Sequence, residues 1–304
     1  MNNPSPISLV IVNYNAGMLL TDCIRSAQNQ VEQIIVIDNA STDSSLAEIE
    51  QKFSNEEKQR FTIKRLDQNI GFAAACNIGI QESRFPFILF LNPDCILPAN
   101  AIERLLQVLN SDRQIGMVGG RLLNDDGSEQ GGSRRAIPTP WRAFVRASGL
   151  YRLARFWPNL FYDFHLHKQA LPPNPIEVEA ISGALMLVRR EAIDKVGNWD
   201  EGYFLHCEDL DWCMQFRQKG WRIFFVPDVQ VLHYKGACSQ TRPFFVAWHK
   251  HKGMLRFYQK FFRDQYPAVL MWFVSASVWF RFGAIIFCHC FSQLGRLSLR
   301  QRRG

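Results

Sequence analysis

Two short acidic motifs in the sequence could carry out group-transfer chemistry. They are Asn92-Pro93-Asp94 and Glu208-Asp209. A carboxylate can hold a divalent cation that neutralises the charge building on a leaving group, and a carboxylate can also accept the proton of an attacking hydroxyl. The structural alternatives are a turn residue after Pro93 and acidic residues that are favoured at a helix N-terminus.

Polar residues also follow three of the predicted strands. Apolar, β-rich segments predict strands at 7–12, 33–37, 61–65 and 86–91. The polar groups that follow three of them are Asn13-Tyr14-Asn15, Asp38-Asn39 and Asn92-Pro93-Asp94. Ligands bind at the carboxyl ends of the strands in open parallel sheets. Turn chemistry would explain any one group, but three groups at one edge favour a binding site.

The elements that must position these residues alternate along the chain. Helical patterns are predicted between the strands, at 19–28, 45–53 and 73–82. This order predicts an α/β fold, with a Rossmann-like, mostly parallel sheet and helices on both of its faces. Residues 131–175 lose the pattern and are predicted to be an insertion or long loop. Regular patterning returns with residues 177–188, a helix over 209–219 and a strand over 222–226.

The sequence lacks the fingerprint of a dinucleotide-binding enzyme. Such a fold needs a G-x-G-x-x-G turn after its first strand, because the backbone there approaches a pyrophosphate. Residues 13–17 are NYNAG instead, and a Walker phosphate loop is also absent. Asp38, at the end of the second predicted strand, could still bind a ribose hydroxyl or the edge of a base.

Six motifs occur along the chain in a characteristic order. They are IVNYN (11–15), VIDNASTD (36–43), NIGF with NIG (69–72 and 77–79), LNPD (91–94), SGA (182–184) and EDLD (208–211). Together they resemble the motifs of family 2 glycosyltransferases of the rhamnosyltransferase-like branch. The resemblance covers roughly residues 7–240 and implies the glycosyltransferase A fold. It implies a catalytic domain at 1–240, with a nucleotide-sugar-binding half (1–125) and an acceptor-binding half (126–240).

The resemblance also implies roles for individual residues. Asp94 matches the metal-binding carboxylate of the family's D-x-D motif, so a divalent cation, Mg²⁺ or Mn²⁺, is expected. Asn92 replaces the first carboxylate of that motif, at the position that usually meets the nucleotide. Asp209 matches the catalytic base, with Glu208 as the alternative. His233 begins the segment HYKGACS (233–239), which resembles the family's H-x-x-G-x-S segment, and is either a second metal ligand or a structural histidine.

The remaining matched positions are expected to bind the donor. The positions matched to the base and ribose, to the adjacent donor-side motif, or next to them are Asn13, Tyr14, Asp38, Asn39, Asn69, Gly71 and Asn77. The implied reaction is inverting transfer of a sugar from a dTDP- or UDP-linked donor, and rhamnose is the first candidate for that sugar. The implied acceptor is a glycan or lipid-linked glycan in cell-surface polysaccharide synthesis. The alternatives are transfer of a different sugar and a catalytically silent nucleotide-sugar-binding protein.

The positive charge is concentrated near the C-terminus. From Gly236 onward there are eleven Lys and Arg residues and one acidic residue, although the whole chain carries only +7. A largely apolar stretch at 267–291 lies within this part. Residues 241–304 are therefore predicted to be a helical segment that associates with an anionic membrane. The alternative is a helix that packs on the catalytic domain or on a second subunit, so an oligomer is possible.

The expected location is cytoplasmic, peripheral on the inner face of the cell membrane. No basic leader precedes the apolar stretch at 7–12, and that stretch is too short for a signal peptide core. A nucleic-acid partner is not expected, because binding to phosphates would give no purpose to Asp94 and Glu208-Asp209.

Overall fold

We describe the protein from a computed structural model that covers residues 4–157, 160–161, 164, 166–234, 236 and 242–301, with the side chains of 147 and 289–301 left out. The described residues form eleven strands: β1 (Ser5–Asn13), β2 (Val31–Asp38), β3 (Phe61–Arg65), β4 (Phe87–Leu91), β5 (Cys95–Ile96), β6 (Ile115–Leu123), β7 (Arg134–Arg135), β8 (Ile176–Glu177), β9 (Ala180–Ile181), β10 (Leu185–Arg189) and β11 (Arg222–His233). The first four strands agree with the predicted ones to within two residues at each end.

Ten α-helices lie within the described residues. They are α1 (Met18–Ala27), α2 (Ser45–Lys52), α3 (Asn55–Lys58), α4 (Phe72–Glu82), α5 (Ala101–Ser111), α6 (Pro140–Ala147), α7 (Arg190–Val196), α8 (Glu208–Gln218), α9 (Pro243–Phe262) and α10 (Ala268–Gln301). Two 3-10 helices occupy Leu150–Arg155 and Leu166–Lys168. The predicted helices at 19–28, 45–53, 73–82 and 209–219 correspond to α1, α2, α4 and α8.

Nine strands form one mixed sheet in the described chain. Their order is β3-β2-β1-β4-β10-β6-β11-β5, and β8 pairs with β11 off this path. Strands β1 to β4 are mutually parallel, and β6 is parallel to β11. Strand β10 is antiparallel to both β4 and β6. The predicted α/β fold with a mostly parallel sheet is therefore confirmed.

The sheet is buried on both faces because alternate strand residues point to opposite sides. In β1, Val10 and Val12 belong to one core, whereas Leu9 and Ile11 belong to the other. Residues of α4, α7, α8 and α9 complete the first core. Residues of α1, α2 and α5 complete the second. This two-sided burial explains why the strands are continuous apolar runs in the sequence.

Strand β11 is longer than the predicted strand at 222–226. It continues to His233 with a register irregularity between Val226 and Gln230. Pro227 suggested a strand end, because proline cannot donate a backbone hydrogen bond. The ladder resumes beyond this irregularity, and the extension carries His233 to the edge of the sheet beside β5, where it pairs with Cys95.

The sequence predicts an insertion or long loop at residues 131–175, but this segment contains regular structure. It contains α6, whose N-cap is the Thr139 hydroxyl, which accepts from the Arg142 backbone N–H at 3.2 Å. Pro140 occupies the first helical turn, where its missing N–H costs nothing. The cap residue is present in the sequence, but a helix of only 8 residues gives a pattern too short to be told from a loop.

The region at 241–304 consists of two unlike helices. α9 contributes Phe257, Tyr258, Phe261 and Phe262 to the first core. α10 instead contains a 21-residue window, Ala268–Cys288, with a mean hydropathy of 1.7, of which only 6% is buried. By length and composition this window could cross a membrane. α9 is thus continuous with the core. α10 packs on the core along one side through Met271, Val274 and Val278, and its other sides are exposed.

Candidate active site

The carboxyl ends of β1 and β2 bring the first predicted residues together. Asn13 lies opposite Asp38 in the parallel register, and the Asn13 amide donates to the Asp38 carboxylate at 2.7 Å. The backbone N–H of Ser41 donates to the other Asp38 oxygen at 3.2 Å. The Asn13 carbonyl oxygen Oδ1 is buried without a hydrogen-bond partner. A ligand donor group could satisfy that oxygen.

Asn39, Asn69 and Gly71 form a neighbouring group. The Asn39 amide donates to Asn69 Oδ1 at 3.0 Å and to the Gly71 carbonyl at 3.2 Å. The backbone N–H of Gly71 donates to Asn69 Oδ1 at 3.0 Å. Gly71 has φ +90°, and a Cβ there would lie 2.7 Å from the Phe204 carbonyl oxygen. Only glycine combines this backbone conformation with this close approach.

Two other predicted donor-site residues are placed differently from this group. Tyr14 is half-buried in the loop directly after β1. Asn77 is buried in α4, where its amide donates to the Trp199 carbonyl at 3.0 Å and to Glu201 at 2.9 Å. Asn77 Oδ1 accepts from the Trp199 backbone N–H at 3.0 Å. Asn77 thus holds the Trp199 segment in position, and its substrate contact stays a prediction.

Asp94 and His233 meet at the next position along the edge. His233 Nε2 lies 3.2 Å from Asp94 Oδ1, and both side chains are almost fully buried. His233 Nδ1 is 2.8 Å from Gln130 Oε1, and Gln130 Nε2 donates to the His233 carbonyl at 2.7 Å. Gln130 thereby fixes the orientation of the ring. Residues 235 and 237–241, which include most of the H-x-x-G-x-S segment, lie outside the described residues.

The Asp94 and His233 pair fits a divalent cation. Asp94 Oδ1 is buried and, apart from its approach to His233 Nε2, has no polar partner among the described residues. Asp94, Cys95 and His233 each offer a ligand atom, and these atoms lie within 4.8 Å of one another. Carboxylate and imidazole suit Mn²⁺ or Mg²⁺ better than a thiol does. Asp94 and His233 would therefore hold the ion, and Cys95 would pack beside it.

The loop at residues 182–184 connects the metal-binding edge to the second acidic motif. The backbone N–H of Asn92, which is half-buried, donates to the Ala184 carbonyl at 3.0 Å. The backbone N–H of Gly183 donates to Asp209 Oδ2 at 3.1 Å. The residue that Asp209 contacts, Gly183, is therefore adjacent in sequence to Ala184, the residue that Asn92 contacts. The fold brings the two acidic motifs to the same end of the sheet.

Asp209 forms an ion pair with Arg135. The Arg135 guanidinium binds Asp209 Oδ2 and also donates to the Ile181 carbonyl at 3.1 Å. Asp209 keeps 15% of its side chain exposed, so one side remains open to a substrate. No role was predicted for Arg135 from the sequence. The two residues are 74 positions apart, and no local pattern could have linked them.

Glu208, the residue before Asp209, is not part of this ion pair. It is 8% exposed, and its Oε2 is buried without a hydrogen-bond partner among the described residues. Burial, together with the nearby Asp209 carboxyl group, raises the pKa of Glu208 to about 8. The Glu208 carboxyl group is therefore protonated at neutral pH, whereas Asp209 is paired with Arg135. The two neighbouring acids thus lie in different surroundings.

The backbone before the acidic motif is strained and is supported by α9. His206 and Cys207 have φ values of +68° and +74°, which L-residues rarely adopt. Gly253 of α9 packs so closely that a Cβ there would lie 2.7 Å from the His206 carbonyl oxygen. Lys260 of α9 also donates to Asp211 at 2.9 Å. α9 therefore helps to set the position of the first turn of α8.

Substituting Gly253 with alanine should destabilise the protein and lower its activity. The new methyl group would collide with backbone, so we expect a loss of about 1–3 kcal/mol in the free energy of unfolding, measured by urea denaturation. Gly283→Ala is the matched control, because this glycine is also helical and nothing lies within 4 Å of the position that a Cβ would occupy there. The control should be neutral or slightly stabilising. Equal stability of the two variants would contradict the close approach of α9 to His206.

Comparisons with known proteins agree with this geometry. Residues 8–197 match the family described as Glycosyl transferase family 2. The chain is 26% identical to N-acetylglucosaminyl-diphospho-decaprenol L-rhamnosyltransferase of Mycobacterium tuberculosis over 90% of both chains. It is 27% identical to rhamnosyltransferase WbbL of Escherichia coli over 54% of this chain and 58% of that protein.

Solved structures show the same fold. A mannosyltransferase, PcManGT from Pyrobaculum calidifontis in complex with GDP-Man and Mn²⁺, matches with a TM-score of 0.56 at 16% identity, over 90% of this chain and 71% of that one. GalNAc-T7 with UDP, GalNAc and Mn²⁺ also matches with a TM-score of 0.56, at 20% identity, over 77% of this chain and 44% of that one. The predicted glycosyltransferase A fold is confirmed.

Proposed function

The chain belongs to glycosyl transferase family 2, and from that premise we propose that it transfers rhamnose from a dTDP- or UDP-linked donor to a lipid-linked glycan. The rhamnosyltransferases to which it is similar support the sugar, and the name of the mycobacterial relative supports a lipid-diphosphate acceptor. The setting would be the synthesis of a cell-surface polysaccharide. Transfer of a different sugar is the alternative closest to this proposal.

The observation that carries the proposal is that residues 182–184 contact both acidic motifs, Asn92-Pro93-Asp94 and Glu208-Asp209. Asn92 binds this loop through the Ala184 carbonyl, and Asp209 binds it through the Gly183 N–H. A transferase needs one carboxylate on the leaving-group side and one on the acceptor side. A protein that only binds nucleotide sugars would have no use for the second.

The chemistry follows from the surroundings of the two acids. Asp209, paired with Arg135, would accept the proton of the acceptor hydroxyl as that oxygen attacks the anomeric carbon. Arg135 would orient the carboxylate, and the Gly183 N–H would restrain its second contact. A single displacement inverts the anomeric configuration and needs no covalent enzyme intermediate. Neutral Glu208 would contact the substrate or pack beside it without accepting a proton.

The donor would bind across the carboxyl ends of β1, β2 and β4. Asp38 and Asn13 would meet the base and ribose, with Tyr14 beside them, and Asn39, Asn69 and Gly71 would shape the adjacent wall. Asp94 and His233 would hold Mg²⁺ or Mn²⁺ near the diphosphate, and the bound ion would neutralise charge on the leaving nucleotide. Asn92, which carries no charge, would approach the nucleotide without adding repulsion.

A donor panel tests the proposal. Thermal unfolding is followed with dTDP-, UDP- and GDP-linked sugars, each with Mn²⁺ and with Mg²⁺. A donor at a hundred times its Kd should add about 2.7 kcal/mol to the stability of the folded state. The stabilising donor is then assayed for transfer and for slow hydrolysis. Stabilisation without turnover would support the silent-binder alternative, and the absence of any shift would contradict nucleotide-sugar binding.

We also propose that α10 places the enzyme on the cytoplasmic face of a membrane. Large apolar side chains are exposed along it, including Trp272 (65%), Phe273 (57%) and Phe280 (81%). Basic residues flank the apolar stretch on both sides in the sequence, and each can add about 1 kcal/mol of attraction to an anionic surface. An enzyme held there would meet a lipid-linked acceptor by two-dimensional search.

Truncation after Asp264 should separate membrane binding from donor binding. The cut removes α10 but keeps α9, which ends at Phe262 and is part of the core. We expect most binding to anionic vesicles to be lost in a sedimentation assay, while the stabilisation by the donor persists. Failure of the truncated chain to fold would instead show that α10 packs on the catalytic domain or on a second subunit.

A further inference from the structure

Residues 136–164 form an excursion from the sheet that begins and ends beside the active site. The backbone N–H of Ala136 donates to the Phe164 carbonyl at 3.2 Å, so the two ends of the excursion meet. The excursion starts one residue after Arg135, whose guanidinium binds Asp209. We call the described part of this excursion the arginine–aromatic lobe. Its position places it at the border of the acceptor-side carboxylate.

The arginine–aromatic lobe exposes a concentration of large apolar side chains. Trp141 and Phe144 on α6 are 39% and 50% exposed. Phe156, Trp157 and Leu160 are 58%, 58% and 52% exposed. Single exposed apolar residues are common, but a group of this kind marks an interaction surface. Such a group within one short excursion therefore needs a partner.

The charge of this part of the chain is mainly positive. Residues 136–162 contain arginines at 142, 146, 152 and 155 and no acidic residue, and Asp163 follows them. Arg142 forms an ion pair with Glu179 at 2.6 Å. The Arg146 guanidinium lies 4.6 Å from the centre of the Tyr151 ring, and that of Arg155 lies 4.4 Å from the Phe156 ring. Cations beside exposed aromatic rings match the layered polarity of a bilayer surface, where rings enter the acyl boundary and cations meet phosphates.

We propose that the arginine–aromatic lobe is a second membrane contact, which docks on anionic phospholipid headgroups and turns the acceptor side of the site towards the bilayer. This inference rests on the proposed lipid-linked acceptor. α10 would hold the enzyme at the membrane, and the lobe would set its orientation. Charge favours the bilayer over a second copy of this chain, because two such lobes would repel one another. The exposed apolar side chains favour the bilayer over a nucleic acid, because contacts with phosphates would leave Leu160 and Trp157 in water.

Amide hydrogen exchange on the full chain tests the contact directly. Exchange is compared without vesicles, with vesicles of equal parts phosphatidylglycerol and phosphatidylcholine, and with phosphatidylcholine alone. We expect exchange in α6 and Leu150–Arg155 to slow at least about threefold on the anionic vesicles, and little on the neutral ones. Exchange in α2, which packs on the other core, should not change. Unchanged exchange in the lobe on bound vesicles would overturn the proposal.

Two sets of variants in the full chain sharpen the test. Phe156→Ser with Trp157→Ser and Leu160→Ser removes the apolar contact at residues that are more than half exposed, so folding should be preserved. Arg152→Gln with Arg155→Gln removes two exposed charges. Both sets should abolish the slowed exchange in the lobe, even though α10 still holds the chain on the vesicles. Lys195→Gln with Lys219→Gln removes the same charge elsewhere and should leave the slowing intact.

Other partners give distinguishable results. Equal slowing in the lobe on addition of a short oligonucleotide, or on raising the protein concentration without lipid, would overturn the bilayer proposal in favour of a nucleic acid or a second copy. None of these readouts uses the transfer reaction. Failure of the donor panel would therefore contradict the proposed function without affecting the exchange result, and a failed exchange experiment would leave donor binding untouched.

Discussion

Asp209→Asn is expected to reduce transfer by about 10²–10⁴-fold, because it removes the group that accepts the proton of the acceptor hydroxyl. Asparagine can still accept from the Gly183 N–H, which now donates to Asp209 Oδ2 at 3.1 Å, so the local backbone should be retained. Donor affinity should change little, since the base acts on the acceptor. Initial rates of transfer and donor binding by calorimetry measure the two effects separately.

Glu208→Gln is the matched control for this prediction. Burial and the adjacent Asp209 raise the pKa of Glu208 to about 8, so glutamine imitates the neutral form that is present at pH 7. We expect the control to keep transfer within about one order of magnitude of the parent. If Glu208→Gln were inactive and Asp209→Asn active, the base would be Glu208. If both were fully active, the acidic motif would have no catalytic role.

Because the pKa of Glu208 is raised, the pH dependence of stability is a second measurement on the Glu208→Gln control. A carboxyl whose pKa is raised in the folded state adds stability that is fully present below its ordinary value of 4.5, and this stability is lost as the pH rises towards 8. Removing the ionisable group should therefore make Glu208→Gln more stable than the parent above pH 8 and similar to it at pH 5. Thermal unfolding at the two pH values measures this difference without any substrate.

Asp94→Ala is expected to weaken donor binding at least about tenfold and to remove its dependence on Mn²⁺. The buried Asp94 Oδ1 lies 3.2 Å from His233 Nε2 and has no other polar partner among the described residues. Without this carboxylate, the imidazole alone cannot balance the charge of a cation beside a diphosphate. Calorimetric titration of the donor in the presence and absence of Mn²⁺ gives both quantities.

Asp228→Ala is the control for removal of a carboxylate from the same region. Asp228 lies on β11, as His233 does, but forms an exposed ion pair with Arg104, and such pairs contribute little to stability. Donor binding by this control should match that of the parent. A metal response that survives in Asp94→Ala would count against Asp94 as a ligand. Loss of the response in His233→Asn as well would assign both residues to the metal site.

The local part of this architecture follows from short-range patterns. Strands β1 to β4 and helices α1, α2 and α4 were predictable because burial imposes a period on neighbouring side chains. The rule that parallel strands present their carboxyl ends at one edge then brought Asn13, Asp38 and Asp94 together. The hydrogen bonds of Asn77 could not be predicted although its helix was, because they go to Trp199 and Glu201, 122 and 124 residues away.

The relations between distant segments were decided only by the tertiary structure. Arg135 pairs with Asp209 because β7 pairs with β9, which leads into residues 182–184. His233 reaches Asp94 because β11 resumes its ladder beyond Pro227. α9 belongs to the core and supports the backbone before Glu208, although the sequence grouped it with the tail. Each of these contacts joins residues whose local surroundings carry no signal of the partner, since periodicity reports which face of an element is buried but not which element covers it.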